Sequence, residues 1–257
     1  MRQTLFLLLF LVTFLHHSSF GQSADSSRKT GFFSGSVSVT NNGISVIPTF
    51  SLGKPATIIT LSTGKNRFSF DPELRFSLEA KPWSFIFWWR YKLVRSPKFL
   101  LNIGVHPALN FKSELLSING VYRETMVSRR YFAAEMAPSY QVGKNIRLGM
   151  YYLHSRGLDH GTTEITHFIT LNSQFSAIRL SKEYFIRFTP QVYYLQMDQQ
   201  DGYYVTGALT LAKKDFPISV SSMFNKSIQT SIITSKDFVW NVSLAYSFHK
   251  KFLKQSD

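Results

Sequence analysis

The sequence predicts an all-β fold, a closed antiparallel up-and-down transmembrane β-barrel of about 12 strands, on three observations. Apolar residues recur at every second position in segment after segment, and no helical period competes. Several of these segments run to about a dozen residues. That is near the roughly 9–11 a tilted strand needs to cross a bilayer, and well beyond the roughly 5–6 of an ordinary soluble strand. The chain also opens on an export signal, which such a barrel requires.

That signal is Leu5–Leu15, an unbroken apolar run preceded by Arg2 and followed by small residues around Ser19-Phe20-Gly21. The pattern is that of a secretory signal peptide, residues 1–21, with cleavage near 21–23. Residues 22–31 then form a short N-terminal segment, 32–249 the barrel, and 250–257 a basic tail. Of the 257 residues, 44% are hydrophobic and none is cysteine, which excludes a lipoprotein anchor and a disulfide framework. Apolar runs of about 20 residues, the mark of membrane helices, are missing after residue 20.

Residues 33–63 supply two strands. In the next, Phe68, Phe70, Leu74, Phe76 and Leu78 alternate with Arg67, Ser69, Asp71, Glu73, Arg75 and Ser77. Trp83, Phe85, Phe87, Trp89, Tyr91 and Leu93 then oppose Ser84, Ile86, Trp88, Arg90 and Lys92. Phe99 to Phe111 carry Asn102, Gly104, His106, Ala108 and Asn110 on the second row. Phe132 to Val142 oppose Arg129, Tyr131, Glu135, Ser139 and Gln141, and Ile146 to Tyr152 oppose Arg147, Gly149 and Tyr151. Two further segments, Ile165–Phe175 and Tyr184–Tyr194, repeat the rule, the latter with Arg187 on its polar row. The last runs from Phe238 to Phe248.

Since successive side chains of a strand point to opposite faces, each segment has one apolar and one polar face. A dry sandwich core could not hold rows containing Asp71, Glu73, Arg75, Arg90, Arg129, Glu135, Arg147 and Arg187, whereas a polar lumen can. Pro72, Pro107, Pro138 and Pro190 fall within strands on the apolar row, where local bulges are expected. Short connections at Gly64–Asn66, Arg95–Pro97, Gly143–Lys144, Ser181–Lys182 and Lys213–Asp215 alternate with longer ones at Lys112–Val127, Gly157–Thr163 and roughly Lys226–Asp237. That alternation fits 12 strands. A count of 14 puts the long loops on the turn side and is rejected.

These features resemble the single-chain outer-membrane β-barrels of Gram-negative bacteria. Trp240-Asn241-Val242-Ser243-Leu244-Ala245-Tyr246-Ser247-Phe248 is similar to the aromatic-ended final strand of that class, although His249 to Asp257 follow it here. The resemblance implies an outer-membrane location, short periplasmic turns, and the barrel-assembly machinery as a partner during biogenesis.

The chemistry of the rows is less specific. Asp71, Glu73 and Arg75 share one face at steps of about 6–7 Å, read either as a selectivity constriction or as an internal salt-bridge ladder. His106 lies on the lumen row; His154 and Ser155 point to opposite faces and cannot act as base and nucleophile. Asp198 to Gly202 reads as a loop, with acidic calcium coordination as its functional reading. No catalytic, metal or cofactor motif is present. The lumen candidates are Asp71, Glu73, Arg75, Arg90, His106, Arg129, Glu135, Arg147 and Arg187. The net charge of +14 points to anionic lipid headgroups as partners rather than nucleic acid. The expected function is a small-solute channel with a net-basic lumen and anion preference. The alternatives are a non-conducting accessory barrel filled by salt bridges, and a lipid-active enzyme.

Overall fold

The computed structural model describes residues 30–118, 120–233 and 236–253. They form twelve strands: β1 (Thr30–Thr40), β2 (Ala56–Lys65), β3 (Phe68–Ser77), β4 (Pro82–Arg95), β5 (Phe99–Ile118), β6 (Val121–Gly143), β7 (Ile146–Gly157), β8 (Ile165–Arg179), β9 (Tyr184–Met197), β10 (Gln200–Lys213), β11 (Ile218–Thr230) and β12 (Phe238–Leu253). Each strand pairs antiparallel with its neighbours in sequence. β1 closes on β12 from Thr30↔Leu253 to Thr40↔Ser243, so the expected closed barrel forms and no sheet edge is left over. Lys250 and Lys251, read from the sequence as tail, sit inside this ladder opposite Phe33 and Phe32. The signal peptide lies outside the described residues.

The two rows separate as expected. Ile103, Val105, Phe132, Met136, Leu148, Leu171, Val192, Val242 and Leu244 are exposed on the outer wall, while His106, Asn110, Glu135, Thr166, Thr170 and Asn241 are buried within. An apolar exterior running right round the barrel matches lipid, not water. Trp83 is the exception. It was placed on the outer row, yet it is 2% exposed and points inward. The β3–β4 ladder steps from Arg75↔Ser84 to Phe76↔Pro82, and this irregularity lets adjacent Trp83 and Ser84 both turn inside.

The prolines do not make the expected bulges. Pro72, Pro107, Pro138 and Pro190 stay in register opposite Phe87, Phe132, Leu101 and Gly207. On the other side of each, pairing lapses briefly and resumes in the same register, as between Thr60↔Glu73 and Thr63↔Phe70. A strand residue aims its N–H at one neighbour only, so proline costs one ladder and spares the other.

One end of the barrel carries the start of β1, the end of β12 and the short connections 66–67, 96–98, 144–145, 180–183 and 214–217; it is called the terminal end below. At the other, the loop end, two expectations change. Residues 112–127 are no loop but the continuation of the β5–β6 hairpin, paired from Lys112↔Val127 to Ile118↔Val121. Asp198 sits in a tight turn at φ 55°, and its carboxylate accepts the amides of Glu164 (3.2 Å) and Ile165 (2.8 Å). Asp201 instead accepts the Tyr194 hydroxyl at 3.0 Å, so the two carboxylates do not converge on a cation. The longest connection, residues 41–55, was not among the long loops read from the sequence.

Candidate functional site in the lumen

Residues 41–55 fold into the barrel mouth. Their neck closes where the Gly43 amide donates to the Lys54 carbonyl (2.7 Å) and the Leu52 amide to the Gly43 carbonyl (2.8 Å). Side chains crowd that neck: a Cβ on Gly43 would lie 3.1 Å from Ala56, Leu52 and Trp83. The tip, Val46 to Phe50, is apolar and ends in a single 3-10 turn, Pro48–Phe50. Its carbonyls, removed from water, are met by side-chain donors of the wall. Tyr193 and Asn225 donate to Val46 (2.7 and 2.9 Å), Trp83 to Phe50 (2.8 Å), and Lys112 to Thr49 (3.2 Å). The Phe50 ring meets Tyr131 edge-on at 5.2 Å.

Beneath the tip lies an apolar layer of Trp88, Leu153, Phe168, Tyr193, Leu195 and Tyr204, against which Val46 and Ile47 pack. The sequence reading gave the lumen a uniformly polar lining, and this layer corrects it. The signal was present: Trp88, Leu153, Phe168 and Leu195 are large apolar residues on the inner row, which water alone would not favour.

Toward the terminal end the lining becomes ionic. Arg90 pairs with Asp71 at 3.1 Å and with Glu135 at 2.7 Å, and its guanidinium lies 4.2 Å from the Trp88 ring centroid. Tyr151 donates to the second oxygen of Glu135 (2.8 Å), and Ser62 donates to Asp71. Gly104 leaves room for this cluster: a Cβ there would lie 2.8 Å from a Glu135 carboxylate oxygen and 3.1 Å from Arg90. Arg75 pairs with Glu73 and lies over Trp83 at 5.0 Å. His106 meets Trp88 edge-on with centroids 3.8 Å apart, and its Nδ1 has no hydrogen-bond partner among the described residues.

Six of the nine lumen candidates thus fall in two adjoining groups on β3 to β6, Arg75 with Glu73, and Arg90 with Asp71, Glu135 and, through Trp88, His106. The other three do not join them. Arg129 pairs with Glu114 at 2.6 Å toward the loop end; Arg147 donates to Ser139 (3.3 Å) and Arg187 lies over Phe185 (5.4 Å), both toward the terminal end. In these two groups three carboxylates face two guanidiniums. The surplus of cations on the inner rows lies outside them.

Two cavities flank the ionic level. One of about 460 Å³ lies under the tip, with Val46, Ile47, Phe50, Tyr131 and Phe168 in its wall. Another of about 550 Å³ is lined by Ser34, Ser36, Ser62 and Asp71. Glu73, Trp88 and Arg90 border both.

Charge is also graded along the axis. The terminal end carries Lys65 and Arg67, then Lys92, Arg95 and Lys98, Lys144 and Arg147, Arg179, Lys182 and Arg187, Lys213 and Lys214, and finally Lys250 and Lys251. Among the described residues of this end, Glu183 and Asp215 stand against these fourteen cations. Among the described residues of the loop end, nine cations meet eight carboxylates.

The remaining histidines of the enzyme alternative are placed apart from this lumen. His154 faces outward, directly opposite His167 on β8 with ring centroids 4.9 Å apart, and His167 Nδ1 is 2.8 Å from the Tyr152 hydroxyl.

No protein-family model matches the sequence, and no curated protein does. Solved structures do share the fold. The KdgM porin matches at 13% identity with a TM-score of 0.53, over 84% of this chain and 99% of that one. The same porin in complex with disordered oligogalacturonate matches at 12% and 0.50, again over 84% and 99%. The NanC porin matches at 12% and 0.48, over 86% and 100%. At these identities the likeness is one of fold, the fold of outer-membrane β-barrels.

Proposed function

We propose that this chain is a passive outer-membrane channel for small solutes, narrowed at its loop end by residues 41–55 and preferring anions at its terminal, periplasmic mouth. One observation carries the reading: two lumen cavities of about 460 and 550 Å³ lie against the same three residues, Glu73, Trp88 and Arg90. A barrel evolved merely as a wall has no need of such water-accessible space. The shared fold with the KdgM porin supports the same direction. The apolar exterior and the export signal read at Leu5–Leu15 support an outer-membrane address.

A second reading, a non-conducting barrel, is favoured by one feature, the apolar tip bonded to Tyr193, Asn225 and Trp83 across the lumen. Single-channel recording of the purified barrel in a planar bilayer separates the two. Discrete conductance steps in the intact protein support the channel. A silent bilayer with both the intact protein and a variant lacking residues 45–51, each folded by gel mobility, rejects it.

A further inference from the structure

We propose that the terminal rim is a docking surface for the anionic phospholipid headgroups of the leaflet it meets. Two independent observations place the charges at headgroup height. The first is the imbalance among the described residues, fourteen cations against two carboxylates at one end and near balance at the other. The second is a girdle of exposed aromatic side chains just inboard of it: Phe68, Tyr91, Tyr140, Tyr184 and Tyr246. Aromatic rings collect at the boundary between hydrocarbon and headgroups, so cations beyond them lie among the phosphates.

The outward members of the rim show the connection. Strand alternation turns Lys65, Lys213 and Lys250 to the outer wall. Lys213 Nζ lies 5.8 Å from the centroid of the Tyr184 ring, and Lys250 sits opposite Phe33. Such side chains lay their methylenes along the aromatic belt and carry their ammonium outward. Lys213 pairs with Glu183, one of the two carboxylates among the described residues of that end, while Lys65 and Lys250 stand on the outer wall opposite Phe68 and Phe33. Basic groups near a charged surface attract anionic lipid over about a Debye length, roughly 10 Å at 0.1 M salt. The inference does not depend on whether the lumen conducts.

The test is lipid selectivity. The full barrel, folded into phosphatidylcholine vesicles, is probed with spin-labelled phosphatidylglycerol and with spin-labelled phosphatidylcholine. The expected result is at least about threefold preferential association of the anionic probe, falling toward parity in 1 M NaCl. The fourfold variant Lys65→Gln/Lys213→Gln/Lys214→Gln/Lys250→Gln should lose most of that preference. A loop-end control, Lys54→Gln/Lys81→Gln/Arg123→Gln/Arg156→Gln, should keep it. The single variants Lys213→Gln and Lys250→Gln, each expected to give an intermediate ratio, carry the test if the fourfold variant fails to fold. Parity in the intact protein, or equal loss in rim and control variants, overturns the proposal. So does abolition of the preference by millimolar inorganic phosphate, which would make the rim a site for free anions.

Discussion

The hydroxyl of Tyr193 on β9 donates to the carbonyl of Val46, 147 positions earlier in the chain, at 2.7 Å. Asn225 on β11 reaches the same carbonyl at 2.9 Å and hydrogen-bonds Tyr193 in turn. One backbone oxygen therefore pins the inserted loop to two strands of the far wall.

Releasing that pin should open the channel. A net hydrogen bond of about 1 kcal/mol corresponds to about a fivefold shift in a two-state equilibrium. Tyr193→Phe keeps the ring and removes the donor, so open events in single-channel records should become about fivefold more frequent. Tyr193→Phe with Asn225→Ala should do more than either alone, and an unchanged open fraction in the pair would mean the loop is not the gate.

The ionic level should matter most for stability. Glu135 has a side chain 2% exposed and joins Arg90 to Tyr151, so Glu135→Ala leaves a guanidinium short of a partner. Losing one member of a buried pair costs about 3–5 kcal/mol, and the third-exposed Arg90 side chain brings the expectation to the lower end. Gly104→Ala tests the same cluster from below, because its Cβ would meet the Glu135 carboxylate. Urea unfolding in micelles, followed by tryptophan fluorescence, gives both values. A cost under about 1 kcal/mol for Glu135→Ala would mean water replaces the pair.

Charge placed on the outer wall should be penalised, and charge on the inner wall tolerated. Phe87→Arg puts a guanidinium against lipid four residues inboard of Tyr91 and should cost about 2–4 kcal/mol, and Ile103→Arg, opposite Tyr91 at the belt, somewhat less. Asn102→Arg, one residue along on the inner row, should cost much less. Equal costs from the same unfolding measurement would refute the assignment of faces.

How much of this was legible differs between wall and lumen. The wall was readable because alternation is a local property: Phe132, Met136 and Tyr140 declare an outer face without reference to any other strand. Trp83 escaped that logic because a single irregularity at Arg75/Phe76 reverses the parity that alternation counts on. The inserted loop escaped because its partners, Tyr193 and Asn225, lie far along the chain, and an apolar Ile44–Phe50 stretch between two strands reads locally as more strand. The separation of Arg147 and Arg187 from Arg90 was hidden for a related reason. A row records which face a residue takes, and height along the barrel appears only once the registers are known.

At the loop end, Asp159 holds the β7–β8 connection to β6. Arg130 donates through Nε to its carboxylate at 3.0 Å, and the Leu158 amide donates to the Arg130 carbonyl at 2.9 Å. The hydrogen bonds from the Arg130 side chain and backbone hold the Asp159 carboxyl below its ordinary range. A carboxylate lowered on folding contributes its stabilisation fully above its unfolded pKa of about 3.9, and loses it as pH falls through the lower folded value. Limited proteolysis of residues 158–164 should therefore be slow and unchanged from pH 7 to pH 5 and faster near pH 2–3, assayed with an acid-active protease. Asp159→Asn should be cut quickly throughout, and a variant as resistant as the intact loop would show that the clamp holds nothing.

The last prediction concerns which ion the barrel admits. At the ionic level Asp71, Glu73 and Glu135 face Arg75 and Arg90, so the constriction itself is not positive. The terminal mouth is: Lys92, Arg147 and Arg187 lie on inner rows there, and among the described residues neither carboxylate of that end, Glu183 or Asp215, lies on those rows. Positive rings at a pore mouth raise the local concentration of anions, so the intact channel should prefer anions at low salt. Exposed charges at the mouth are screened as the Debye length falls from about 10 Å at 0.1 M to about 3 Å at 1 M. The Arg90–Glu135 pair, with the Glu135 side chain 2% exposed, is screened less. Anion preference should accordingly decline with salt more steeply than a uniformly basic lumen would allow. Reversal potentials under a potassium chloride gradient, near 0.1 M and near 1 M, measure this directly. Arg147→Glu with Arg187→Glu should abolish the low-salt preference while leaving the high-salt value nearly unchanged. Cation selectivity of the intact protein at low salt would show that the ionic level, with its extra carboxylate, governs permeation instead of the mouth.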